Sequence, residues 1–71
     1  MEELDIKSRL SNNLKNIRKE KGLSQFELAE KANISEQTII SIESKRLWPS
    51  DKTLSKITNA LEIDIFKLFF P

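Results

Sequence analysis

The chain contains no cysteine and no histidine. Disulfides, thiol chemistry and metal sites built on Cys or His are therefore excluded, and the acidic residues show no spacing that suggests a carboxylate-only metal site. There is no phosphate-cradling glycine loop, and 71 residues leave little chain to enclose a substrate. No enzyme, cofactor or small-molecule ligand is expected. One glycine and two prolines allow few long loops or hairpin turns, which favours an all-helical chain. No apolar run approaches the ~20 residues of a membrane span, and the acidic start "MEELD" is unlike a signal peptide. The expectation is a soluble, cytoplasmic protein forming a single domain over residues 1–71, near the lower limit for a chain that folds without staples.

What is present is charge, and it is segregated. The formal net charge is only +1, but residues 7–21 hold six basic side chains and one acidic one. Residues 22–44 are net acidic, and residues 45–56 are net basic again. Two basic blocks thus flank an acidic middle. Ordinary solvated helix faces account for such blocks as well as a polyanion-binding surface does, unless the two blocks converge in space.

Apolar spacing divides the chain into helices. Ile6, Leu10, Leu14 and Ile17 recur at steps of four and three, one face of a helix starting between Asp5 and Ser8 and running to Lys21. Gly22 suits the left-handed position beyond its end. "SQFE" at 24–27 reads as a capping box, opening a short helix that turns Leu28, Ala29 and Ala32 inward. Asn33, which tolerates positive φ, marks a tight turn in "ANIS". Ser35 then caps the next helix, with Glu36 in its first turn where the helix dipole favours a negative charge.

That next segment, "EQTIISIE", is locally strand-like, because isoleucine and threonine favour pleated backbone. As a strand, however, Ile39 and Ile40 would need burial on opposite sides, with no second strand to pair with. As a helix, Ile39 and Ile42 share an inward face with Ile34, while Gln37 and Ser41 share the opposite one. A helix over about 35–44 is predicted. Pro49 breaks the chain, Ser50 caps a fourth helix to about Leu61 with Leu54, Ile57 and Leu61 inward, and Asp64 caps a last helix in "IFKLFF". The expected architecture is five helices around one core.

Two short helices joined by a turn of about three to four residues form a helix-turn-helix, whose second helix can enter the DNA major groove. The residues go further than the geometry. "GLSQFELAEKANISEQTIISIE" resembles the phage repressor and Cro (Cro/CI) family of helix-turn-helix DNA-binding proteins, also called the xenobiotic-response-element type. The match includes Gly22 to Gln25, Glu27 to Ala29, Ala32, Ile34, Ser35, Thr38, Ile39, Ile42 and Glu43. It extends upstream to Leu14, Ile17 and Arg18 and downstream to Pro49, Ser50, Thr53, Leu54, Ile57, Ala60 and Leu61, so that it covers roughly residues 10–69.

The resemblance implies a compact five-helix lambda-repressor-like fold acting on double-stranded DNA. It implies a transcriptional regulator, most simply a repressor, that is bacterial or phage in origin and associated with the nucleoid. The family's phosphate-contacting glutamine falls on Gln25. The positions facing base edges fall on Glu36, Gln37 and Ser41, with Thr38 at the groove edge. A glutamine can pair bidentately with adenine, a serine can donate or accept, and a glutamate can accept from cytosine N4. Ile40 replaces the usual polar choice and could meet a thymine methyl or shield backbone. Ser44, Lys45 and Arg46 follow the recognition helix where family members contact phosphate, and Lys15, Lys19 and Lys52 are further candidates to neutralise phosphates. Arg18 and Glu43 resemble the family's structural ion pair.

Lys45 stands where the family usually has glycine. A left-handed lysine is unfavourable by about 1 kcal/mol, so the loop from Lys45 to Trp48 is expected to be rebuilt. Trp48 then either packs over that loop and the core or stacks on sugar-phosphate or a partner. Leu68 and Phe69 match the core-closing last helix. Phe66 and Phe70 are left as a candidate exposed patch for a homodimer, burial of Phe66 in the core being the alternative. Such a dimer would place two recognition helices about 34 Å apart on a palindromic operator. An antitoxin-like or other protein-interaction module on the same fold is the competing reading, supported by Glu36 and the acidic middle.

Overall fold

Each of the first four helices begins where a short polar side chain accepts a backbone N–H that has no partner within the helix. In the computed structural model, which describes residues 5–71, these caps are Asp5 to the Lys7 N–H (3.2 Å), Ser24 to Glu27 (2.9 Å), Ser35 to Thr38 (3.1 Å) and Ser50 to Thr53 (3.2 Å). The helices are α1 (Ile6–Glu20), α2 (Gln25–Ala32), α3 (Glu36–Glu43), α4 (Asp51–Leu61) and α5 (Phe66–Phe69). Among the described residues there is no strand. At α2 the Glu27 carboxylate also accepts from the Ser24 N–H at 2.8 Å, completing the capping box. At α5, Asp64 accepts from the Phe66 N–H at 2.9 Å, and the helix is confined to Phe66–Phe69.

Helices α1 to α4 end in one common way. The residue past each terminus is left-handed: Gly22 (φ 73°), Asn33 (φ 59°), Lys45 (φ 68°) and Glu62 (φ 59°). The following N–H reaches back to a free carbonyl, as in Leu23 to Arg18 (3.1 Å), Ile34 to Ala29 (3.0 Å), Arg46 to Ser41 (2.8 Å) and Ile63 to Thr58 (3.0 Å). This is the Schellman closure, which satisfies carbonyls orphaned at a helix end. The expectation that lysine would force a different loop after α3 is therefore overturned. Lys45 takes the left-handed position itself, because the two backbone bonds of the closure and the packing beyond it outweigh a steric cost of about 1 kcal/mol.

The core takes Leu10, Leu14 and Ile17 from α1, Leu28 and Ala29 from α2, and Ile39 and Ile42 from α3. It is completed by Leu54, Ile57 and Leu61 from α4 and Leu68 from α5. Burial of each large apolar side chain contributes about 1.5–3 kcal/mol, which decides the strand-or-helix contest in α3. A helix sends Ile39 and Ile42 together into the core, at 0% and 1% exposure. Ile6 departs from the predicted inward stripe. It is exposed, one turn beyond the core, where it lines a shallow groove with Arg9, Phe69 and Phe70.

Polar side chains of α1 tie the other helices down. Ser11, itself buried, donates from Oγ to the Ile42 carbonyl at 2.7 Å, close to the C-terminal end of α3. Arg9 Nη1 and Asn13 Nδ2 donate to the carbonyls of Phe69 (2.9 Å) and Leu68 (2.7 Å). A four-residue helix has little intrinsic stability, so these two bonds and the buried Leu68 hold α5 in place. Trp48, from the loop after α3, sets its ring against Phe69 with centroids 6.3 Å apart, and remains 42% exposed. Among the described residues no buried side-chain polar atom lacks a hydrogen-bond partner.

Candidate nucleic-acid interface

Helices α2 and α3 are joined by Asn33, Ile34 and Ser35. The left-handed Asn33 reverses the chain, and Ile34 packs partly against the core, so the turn is anchored on both sides. Because α3 buries Ile39 and Ile42, its opposite face must look outward, and that face is polar. Glu36 and Gln37 are exposed and Ser41 is half-buried, with Gln37 Nε2 donating to Ser41 Oγ at 3.2 Å. The two side chains stand one helical turn apart and hold each other in register. Thr38 is half-buried, and its hydroxyl shares a hydrogen bond with that of Ser35 at 2.7 Å, so it reinforces the cap as well as edging the face. Ile40 is half-buried beside them.

At the C-terminal end of α3, Ser44 donates from Oγ to the Ser41 carbonyl at 3.2 Å. Lys45 and Arg46 are exposed directly after it, as are Lys15 and Lys19 on α1 and Lys52 on α4. The end of α3 also holds a buried ion pair. Arg18 of α1 grips Glu43 of α3 through two parallel bonds, Nε to Oε2 at 2.7 Å and Nη2 to Oε1 at 2.9 Å. Its third nitrogen, Nη1, donates to the Leu23 carbonyl at 2.8 Å. The hydrogen bond to Glu43 raises the guanidinium pKa above its ordinary value, against the opposing effect of burial. Gln25, half-buried at the start of α2, donates from Nε2 to the same Glu43 Oε1 at 3.0 Å. Three helices are thus tied through one carboxylate.

A family model described as helix-turn-helix matches residues 14–68. The chain belongs to this helix-turn-helix family. It is a DNA-binding domain of the Cro/CI type, and its relatives are regulators rather than enzymes. An immunity repressor protein of Bacillus phage phi105 is 46% identical over 52 residues, spanning 73% of this chain and 36% of the repressor. An HTH-type transcriptional regulator, y4dJ, of Sinorhizobium fredii is 31% identical over 68 residues, 96% of this chain and 88% of the regulator. Among solved structures, a hypothetical transcription factor, NHTF, from Neisseria is similar at a TM-score of 0.88 and 28% identity, over 94% of this chain and 77% of that one.

In helix-turn-helix terms, α2 and α3 are the paired helices and α3 is the recognition helix. The structure brings Gln25, Glu43 and Arg18 together, and separately Gln37 with Ser41. Phe66 and Phe70 lie apart from both groups, on α5 and just beyond it. They are 65% and 67% exposed, with ring centroids 6.3 Å from one another and Arg9 over the Phe70 ring at 5.5 Å. Core burial of Phe66 is thereby excluded. Sequence reasoning missed Ser11, Arg9 and Asn13. Ser11 carried a usable signal, since Ser11, Leu14 and Arg18 fall on one helical face at steps of three and four, and a small hydroxyl on an inward stripe needs a partner.

Proposed function

We propose that this chain is a sequence-specific transcriptional repressor that binds a palindromic double-stranded operator as a homodimer, laying α3 in the major groove. The observation that carries the reading is the outward face of α3. Gln37 and Ser41 are exposed or half-exposed, locked to each other at 3.2 Å, and backed by two fully buried isoleucines. A polar face of that kind, on a helix anchored in the core, suits base-edge readout, with Gln37 toward adenine and Ser41 beside it. Glu36 serves two ends. It favours the helix N-terminus, and in the groove it can accept from cytosine N4. Thr38 stands at the groove edge.

Phosphate contacts fall to Gln25, Ser44, Lys45 and Arg46, which position the domain without reading sequence. Exposed Phe66 and Phe70 supply an apolar patch that a second copy would cover, pairing two recognition helices across a two-fold axis. The phage immunity repressor supports repression as the direction of control. A regulator of this kind would act in the cytoplasm, at the nucleoid.

Titration of selected and scrambled duplexes at rising salt tests this reading. Tighter binding to the selected duplex is expected, together with a log-log salt slope of several charges. Lys45→Ala and Arg46→Ala should each weaken both duplexes alike and flatten the slope by about one. Equal, salt-insensitive binding to the two duplexes would sink the proposal.

A further inference from the structure

Gln25 carries a side-chain amide whose two ends look alike in shape and differ in chemistry: the oxygen accepts and the nitrogen donates two N–H groups. A phosphate oxygen can only accept, so Gln25 serves DNA only when the nitrogen edge is presented. The neighbouring group that decides this is Glu43. Its side chain is 2% exposed, and its carboxylate accepts from Arg18 at both oxygens and from Gln25 Nε2 at 3.0 Å. An ionised carboxylate held by a guanidinium has nothing to donate. Turning the Gln25 amide over would set its carbonyl against Glu43, losing the bond and opposing two sets of lone pairs. The nitrogen is therefore fixed inward, toward Oε1, and its second N–H is the donor left for a partner outside.

We infer that Glu43 is a positioning residue for DNA binding: pinned by Arg18, it fixes the Gln25 amide so that the free Nε2–H is offered to a phosphate of the duplex backbone. This rests on the DNA-binding reading above. It gives the ion pair a role beyond holding α1 to α3, because it makes the phosphate contact at the start of α2 depend on a carboxylate at the end of the recognition helix. Register of the domain on the backbone and orientation of the reading helix are then set by one buried group. Removing Glu43 frees the amide to rotate, and the ordering lost must be regained on binding.

The test compares duplex affinities of the wild-type chain, Gln25→Ala, Glu43→Gln and the double variant, each shown folded by circular dichroism, at several salt concentrations. Gln25→Ala should weaken selected and random duplexes alike by about tenfold, the scale of one hydrogen bond to a charged group. It should leave the salt slope unchanged, because glutamine carries no charge. Glu43→Gln should weaken binding in the same pattern. That sign is diagnostic, since deleting a negative charge would by itself strengthen attraction to a polyanion. The double variant should bind no worse than the weaker single one, because both changes act on the same contact. An amide at position 43 donates as well as accepts and no longer dictates which way Gln25 turns.

Wild-type or tighter binding by folded Glu43→Gln, or losses that multiply, overturns the inference. Should Glu43→Gln fail to fold, the Gln25 side-chain amide protons in the wild-type chain judge it by nuclear magnetic resonance. One should be shifted downfield and protected in the free protein, and the other should move on adding duplex. Two solvent-like protons that move together would refute the inference. Absence of binding by the wild-type chain itself overturns the DNA reading, an outcome distinct from a wild type that binds and a Glu43→Gln that loses nothing.

Discussion

Arg18→Ala is the perturbation whose magnitude the structure defines best. Arg18 makes three hydrogen bonds, two to Glu43 and one to the Leu23 carbonyl, and is 6% exposed. Its removal leaves the Glu43 carboxylate almost fully buried with one remaining donor, Gln25, and deprives the Leu23 carbonyl of that bond. Breaking a buried ion pair from one side costs about 3–5 kcal/mol. A chain of this length has a total stability of about 4–10 kcal/mol, so the loss takes a large part of it. At about 4–8 °C per kcal/mol for a small domain, the melting midpoint should fall by at least about 12 °C. Far-UV circular dichroism reports the helices, and the single tryptophan, Trp48 against Phe69, reports the packing of the loop on α5. The paired change Arg18→Met with Glu43→Leu is the control. It strands no charge, and apolar replacements of buried pairs are often neutral or stabilising. The reasoning is refuted if Arg18→Ala costs under about 1 kcal/mol, or if the paired change costs as much as the single one, which would assign the loss to packing.

Four other outcomes are expected. Gln37→Ala should relax preference at one base pair of the bound site by about 1–3 kcal/mol without lowering the melting midpoint, read by duplex competition. Glu62→Gly and Lys45→Gly should each raise stability by about 0.5–1 kcal/mol in urea titration, because both sites are left-handed; the steric relief exceeds the entropy that glycine adds to the unfolded chain. Only Lys45→Gly should also weaken DNA binding. Phe66→Ser with Phe70→Ser should give a folded monomer by light scattering, both rings being largely exposed. A wild-type chain already monomeric at high micromolar concentration, with or without DNA, would remove the dimer. Stability should change little between about pH 6 and 9. The chain has no His, Cys or Tyr, and the raised Arg18 contributes fully below the ordinary arginine pKa and is lost only as pH climbs beyond it.

What could be read from the chain was local. Ser24 with Glu27, Ser35 and Ser50 announced helix starts because a cap needs only a few neighbouring residues, and Gly22 and Asn33 announced ends for the same reason. The helical reading of α3 also followed from its residues, once burial on two opposite sides was weighed against burial on one. What could not be read depends on partners distant in sequence. Ser11 meets Ile42 across 31 positions, and Asn13 and Arg9 meet Leu68 and Phe69 across 55 and 60. Ile6 looked like the first rung of the apolar stripe, yet it lies exposed beside Arg9, Phe69 and Phe70, the two aromatics coming from the far end of the chain. Lys45 and Glu62 were illegible as left-handed positions because intrinsic preference opposes them, and the closing backbone bonds supply the reason they hold. At the candidate interface, positions on α3 were accessible to spacing arguments, but the bond from Gln25 to Glu43 joins two helices and became visible only in the folded chain.

Selection of bound duplexes from a random pool tests the central claim most directly, that α3 of a paired molecule reads DNA sequence. The account predicts an enriched motif with two-fold symmetry, its half-sites centred about one helical turn apart, and with positions whose preference relaxes in Gln37→Ala. A pool that returns no motif, or a motif unchanged by Gln37→Ala and without two-fold symmetry, would contradict it.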